Sequence, residues 1–140
     1  MKKILMIIKT KYLIFILVSF ILIGCSTDIE LKKYIDKSAP FQLNIYQTNL
    51  ETGQTTMKTI ELSVNSEKWK RLIEWTESNK EGWKTTPASY IADISIIQDD
   101  FRLLYWKGLN GVIIGFTNEK GKGEQYRKEI KKGELDFLIK

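Results

Sequence analysis

Tyr12 to Leu22 is a run of eleven residues with a single polar member, Ser19. It follows a head in which Lys2, Lys3, Lys9 and Lys11 stand without any acid. The run is shorter than the roughly 20 apolar residues that cross a bilayer comfortably. A basic head, an apolar core of about 7–15 residues and a small residue before a cut form the pattern of a secretory signal. Residues 1–24 are therefore read as a leader, and 140 − 24 = 116 residues remain to fold. That length supports one domain with a single hydrophobic core.

The segment that closes the leader, Leu22-Ile23-Gly24-Cys25, resembles the lipobox of bacterial lipoproteins. The resemblance covers the leader alone. It implies acylation of the Cys25 thiol, cleavage between Gly24 and Cys25, and a membrane anchor at the new N-terminus. Several acyl chains together hold stably where one holds marginally. In Gram-negative lipoproteins an Asp after the lipidated Cys favours the inner membrane. Ser26 stands there instead, which implies the outer membrane, facing the periplasm. In a Gram-positive host the same anchor implies the outer leaflet of the cell membrane. Cys25 is the only cysteine in the chain, so the domain has no internal disulfide to form.

Charge and residue types then exclude whole classes of function. The chain carries a net +5, but four of its 22 basic residues lie in the leader. The remaining 22 − 4 = 18 bases face 17 acids, and no basic cluster of the kind that binds nucleic acid is present. The sequence contains no histidine, which removes Ser-His-Asp and Cys-His catalysis and histidine-ligated zinc. No cofactor or metal is expected. Glu74, Glu77 and Glu81 share one side of a predicted helix and its exit, as a solvated face does. Asp99-Asp100 lacks the alternating spacing of a calcium loop and reads as a turn. Gly121-Lys122-Gly123 lacks the ending of a phosphate loop and reads as a hairpin turn.

The mature chain divides into residues 25–40, an anchor with a short tether or helix, and residues 41–140, one globular domain. Thr27 and Glu30 have capping-box spacing, and Leu31, Tyr34 and Ile35 recur at helical intervals, so a helix near residues 28–37 and a disordered linker both stay open. Phe41, Leu43 and Ile45 alternate with polar residues, as do Ile60, Leu62 and Val64, which predicts a hairpin. Asn65 or Ser66 can cap a helix to about Asn79 with Trp69, Leu72, Ile73 and Thr76 on one face. Strands follow over Tyr90–Ile97, Phe101–Trp106 and Val112–Phe116, with a weaker one over Gln125–Ile130. The expected fold is α+β: an antiparallel sheet of five or six strands with one main amphipathic helix on one face.

The strand through Trp106 supplies the candidate contact surface. Arg102, Leu104 and Trp106 point one way, while Phe101, Leu103 and Tyr105 point the other. A sheet covered on one side usually shows polar residues on the other. This face carries Leu104 and Trp106, so either the C-terminal segment Leu135–Ile139 or a partner covers it. Arg and Trp are frequent binding hot spots, and Trp83 in the loop after the helix is a possible second part of the surface. The function expected is a non-catalytic, lipid-anchored extracytoplasmic module that binds a protein partner. In size, location and missing chemistry it resembles periplasmic immunity proteins and enzyme inhibitors, with no motif behind the likeness. The alternative is a structural accessory lipoprotein of an envelope or secretion assembly. An enzyme using carboxylates alone stands third.

Overall fold

A computed structural model describes residues 26–140. The leader and Cys25 lie outside the described residues. The elements in order are a 3-10 turn at Leu31–Tyr34, β1 (Phe41–Thr48), β2 (Thr55–Leu62), α1 (Glu67–Ser78), β3 (Lys84–Thr85), β4 (Ile94–Gln98), β5 (Phe101–Tyr105), β6 (Gly111–Thr117), β7 (Gly123–Glu129) and a 3-10 turn at Asp136–Leu138. The strands form one antiparallel sheet of seven in the order β2-β1-β4-β5-β6-β7-β3.

The alternation seen in the sequence becomes two faces. Leu43, Ile96, Leu103, Ile114 and Tyr126 sit opposite one another across five strands. All but Tyr126 are fully buried, and Tyr126 packs against them. This is the helix face. α1 lays Trp69, Leu72, Ile73, Trp75 and Thr76 into it. Ser66 caps the helix by accepting a bond from the Trp69 amide at 3.3 Å, which satisfies one of the free N–H groups of the first turn. The C-terminal segment closes the same layer. Leu135 and Leu138 are fully buried there, and the Trp75 indole donates to Glu134 at 2.7 Å.

Three expectations need correction. The strand count is seven, not five or six. The strand not predicted is β3, two residues long and added at the edge beside β7, too short to leave an alternating pattern. Residues 28–37, open between a helix and a disordered linker, hold a four-residue 3-10 turn instead of either. Tertiary bonds take its backbone: Thr27 pairs with Trp83, the Ile29 amide donates to Lys80, and the Gln98 side chain holds the Asp36, Ala39 and Pro40 backbone. Thr27 is thus a bridge residue, not a cap. Finally, the strand expected from Tyr90 starts only at Ile94.

Residues 86–93 instead form a strap across the second face. Strand order places β3 four positions from β4, a lateral distance of about 19 Å at the usual strand spacing. Thr86 lies level with Gln125 and Asp93 with Tyr46, four ladder rows apart, which adds about 13 Å along the strands. The diagonal is about 23 Å, close to the full reach of such a segment at about 3.3–3.6 Å per residue. A helix of that length would span only about 12 Å. The connection must therefore run extended.

Candidate binding surface

The strap is pinned at both ends and in the middle. At the β7 side the Thr86 amide donates to the Gln125 carbonyl at 3.1 Å. The Gln125 side chain donates back to the carbonyls of Thr86 at 3.3 Å and Ala88 at 2.6 Å. The Thr86 hydroxyl meets the Tyr90 hydroxyl at 2.6 Å, and the Tyr90 ring packs edge-on against Trp106 with centroids 5.9 Å apart. Trp106 Nε1 donates to the Ile91 carbonyl at 2.7 Å. At the β4 side the Asp93 carbonyl accepts from the Tyr46 amide and its carboxylate from the Lys107 amide. The strap's own Ala92 packs on Leu104 and Ile113 in a small second core, with Tyr90 of the strap and Trp106 packed against it.

Residues 86–93 cover part of the second face, and the expected C-terminal segment does not. The C-terminal segment lies on the helix face, with Leu135 and Leu138 in the main core. The chain's own strap shields the Leu104 side. Leu104 is consequently buried and, contrary to expectation, offers little open surface. Trp83 is also withdrawn from the surface: it is fully buried on the helix side, its indole donates to the Asn79 carbonyl at 2.8 Å, and Lys128 Nζ stands 5.7 Å from its ring. Arg102 is exposed and Trp106 half-buried, so these two retain an open surface. They do not share a patch. Leu104 lies between them, under the strap.

The diagonal strap leaves a groove on each side. One, of about 450 Å³, is lined by Arg102, Asp100, Gly115, Glu124, Gln125 and the strap residues Thr86 to Ser89. Arg102 approaches Gln125 Oε1 at 3.4 Å. The Glu124 side chain turns to the helix face, where Tyr126 and Asn118 donate to its carboxylate and hold it below the usual carboxylate range. The other, of about 650 Å³, is lined by Tyr90, Trp106, Leu109, Lys84, Arg127 and Glu129, among others. It opens at the opposite end of the sheet, beside the β5–β6 turn.

Other polar groups hold the fold. Burial and the Asp136 carboxylate, at 2.8 Å, push the Tyr105 hydroxyl up to about 12. Burial and Glu124 do the same to Tyr126, also to about 12. Burial lowers Lys128. Of the three helix-side acids, Glu77 is tied to Lys37, while Glu74 and Glu81 are exposed. Among the described residues no group of three or more His, Cys, Asp or Glu side chains is placed to hold a metal. Sequence reasoning missed Gln125, Tyr90 and Ile91 as surface-shaping residues. The available signal was Pro87, which has no N–H to give a ladder and so interrupts strand pairing. Comparison of the chain with protein-family models, with curated proteins and with solved structures finds no match.

Proposed function

We propose that this protein is a lipid-anchored extracytoplasmic binding module of a bacterial envelope, and that a protein partner docks on the strap face at the Arg102 groove. One observation carries the reading. The strap is fixed by its own hydrogen bonds, so the groove beside it is preformed, and it presents the exposed Arg102 guanidinium, held against Gln125, near the exposed Asp100 carboxylate. A rigid rim lowers the ordering cost of association. Arg with mixed charges around it gives orientation to a partner as well as contact area. The anchor on Cys25 and the absence of histidine chemistry support a binding role of the immunity or inhibitor type over catalysis.

The test is photo-crosslinking in cells that make the full chain, with the reactive side chain at Thr117 in the groove wall. The expected result is one discrete protein adduct that Arg102→Glu abolishes without changing the thermal midpoint. Equal adducts from Thr117 and from Lys70 on the outer side of α1 would refute the surface. The accessory-subunit reading has its own support in β2, an eight-residue edge strand that is exposed along most of its length. Such an edge can add a strand from another protein.

A further inference from the structure

The large apolar side chains most exposed among the described residues are Leu50, Met57, Ile91 and Leu109. Topology brings all four to one end of the sheet. β1 and β5 run in the same direction, so the turn after β1, with Leu50, and the turn after β5, with Leu109, lie together. Met57 sits opposite Tyr46 near the first of these turns, and Ile91 precedes the start of β4 at the same end. Ile91 is 94% exposed, although its carbonyl is fixed by Trp106. The larger groove opens here, with Lys84 and Arg127 against one acid, Glu129, while Lys128 turns its ammonium to Asn79 and Trp83 on the helix side. Lys107 adds a cation beside it, with Asp93 as its neighbour.

The path of the chain leads to the same corner. Thr27 is bonded through both backbone groups to Trp83, at 2.8 and 3.1 Å. Trp83 is flanked by Gly82 and Lys84, which line the groove. Thr27, two residues after Cys25 in the sequence, is therefore held beside the groove wall.

We infer that this corner, with Ile91, Leu109 and the half-buried Trp106 ringed by Lys84, Lys107 and Arg127, docks on the anionic lipid surface in which the chain is anchored. The inference rests on the lipoprotein reading for the anchor and goes beyond it in fixing an orientation. Aliphatic tips enter the headgroup boundary, Trp is at home at that depth, and basic residues are drawn to anionic lipid. The charge surplus and the adjoining anchor favour lipid over a protein as the occupant. Docked this way, the domain keeps the Arg102 groove at the end turned away from the membrane.

The test uses the acylated chain in vesicles, where Cys25 is blocked and an introduced cysteine is the single free thiol. Ile91→Cys, Leu109→Cys and, at the far β6–β7 turn, Glu119→Cys carry a polarity-sensitive dye. With phosphatidylglycerol in phosphatidylcholine vesicles, nitroxide lipids should quench the dye at 91 and 109 but not at 119. Lys84→Glu or Arg127→Glu should lower the docked fraction about fivefold or more, as should pure phosphatidylcholine. Equal exposure of all three dyes to water would overturn the proposal, and so would burial of the dye at 109 only after a protein extract is added. Maleimide labelling of Cys25 in the unsubstituted chain reports the anchor separately. If Cys25 reacts, the anchor reading fails. The dyes are then read in the Cys25→Ser chain on the same vesicles, where a blue shift at 91 and 109 upholds lipid docking and its absence refutes it.

Discussion

Leu104→Ala tests whether the strap is a structural cover. Leu104 is 6% exposed, and it packs with Ile113 of the sheet and Ala92 of the strap. The substitution removes three carbon groups, at about 0.8 kcal/mol each, or about 2.4 kcal/mol of transfer free energy. A residual cavity adds to this, and Leu→Ala changes in cores run about 2–5 kcal/mol. The second core is small and lies under an extended segment that can settle, so the lower part of the range applies, about 2–3 kcal/mol. For a domain of this size about 4 °C accompanies each kcal/mol, giving a fall of about 8–12 °C in thermal midpoint. Calorimetry on Leu104→Ala beside Arg102→Glu makes the comparison, since an exposed substitution stays within about 0.5 kcal/mol. Hydrogen exchange adds a local readout: the Thr86 amide, bonded to Gln125, should lose protection in Leu104→Ala. A midpoint within about 2 °C of the parent, with Thr86 still protected, would refute the strap as cover for Leu104.

Two further outcomes follow from the chemistry. Tyr105 and Tyr126 are raised in the folded state from 10.0 to about 12, chiefly by burial. Their contribution to stability is then full below pH 10 and is lost as pH rises toward about 12. Urea midpoints should hold up to pH 10 and fall above it, and a flat profile through pH 12 would contradict the burial of these hydroxyls. Cys25→Ala should abolish metabolic palmitate labelling and release the chain from membranes, and palmitate labelling that persists in that variant would defeat the lipoprotein reading.

The two faces were legible in the sequence because strand alternation is local. Phe41, Leu43, Phe101, Leu103 and Tyr105 all lie on the helix face where period-two spacing puts them, and Trp69, Leu72, Ile73 and Thr76 are buried as one helical stripe. Tyr90 to Ile97 misled for a reason of the same kind. Ile91, Asp93, Ser95 and Ile97 against Ala92, Ile94 and Ile96 look like one strand, yet Pro87 and the distance to be crossed keep residues 86–93 out of the ladder. Leu104 and Trp83 were misplaced because exposure is a tertiary property. Whether an apolar face-pointing residue is covered depends on a segment more than ten residues away, and nothing in the spacing around Leu104 announces it. The short helix failed for the opposite reason: Thr27 and Glu30 satisfy a local capping pattern, but the Thr27 backbone finds a partner in Trp83 and the segment is shaped by that bond.

The strap and the helix are two parts of one topological solution. β2, β3 and β4 all run in the same direction, because each is separated from the next in the sheet by an even number of antiparallel steps. Both connections, β2 to β3 and β3 to β4, are therefore crossovers. The first spans the whole sheet and uses α1 on the helix face. The second returns from the β3 edge to the sheet centre on the opposite face, so the chain encircles its own sheet in one continuous sense. A crossover usually takes a dozen residues or more. Residues 86–93 manage it by running extended, and an extended chain is too narrow to cover the face. A helix there would have hidden Arg102 and Trp106 alike. The strap covers Leu104 and Ile113 and leaves a groove on each side, one polar and one apolar with basic walls. The two surfaces proposed for a partner and for lipid thus follow from a connection too short to be a helix.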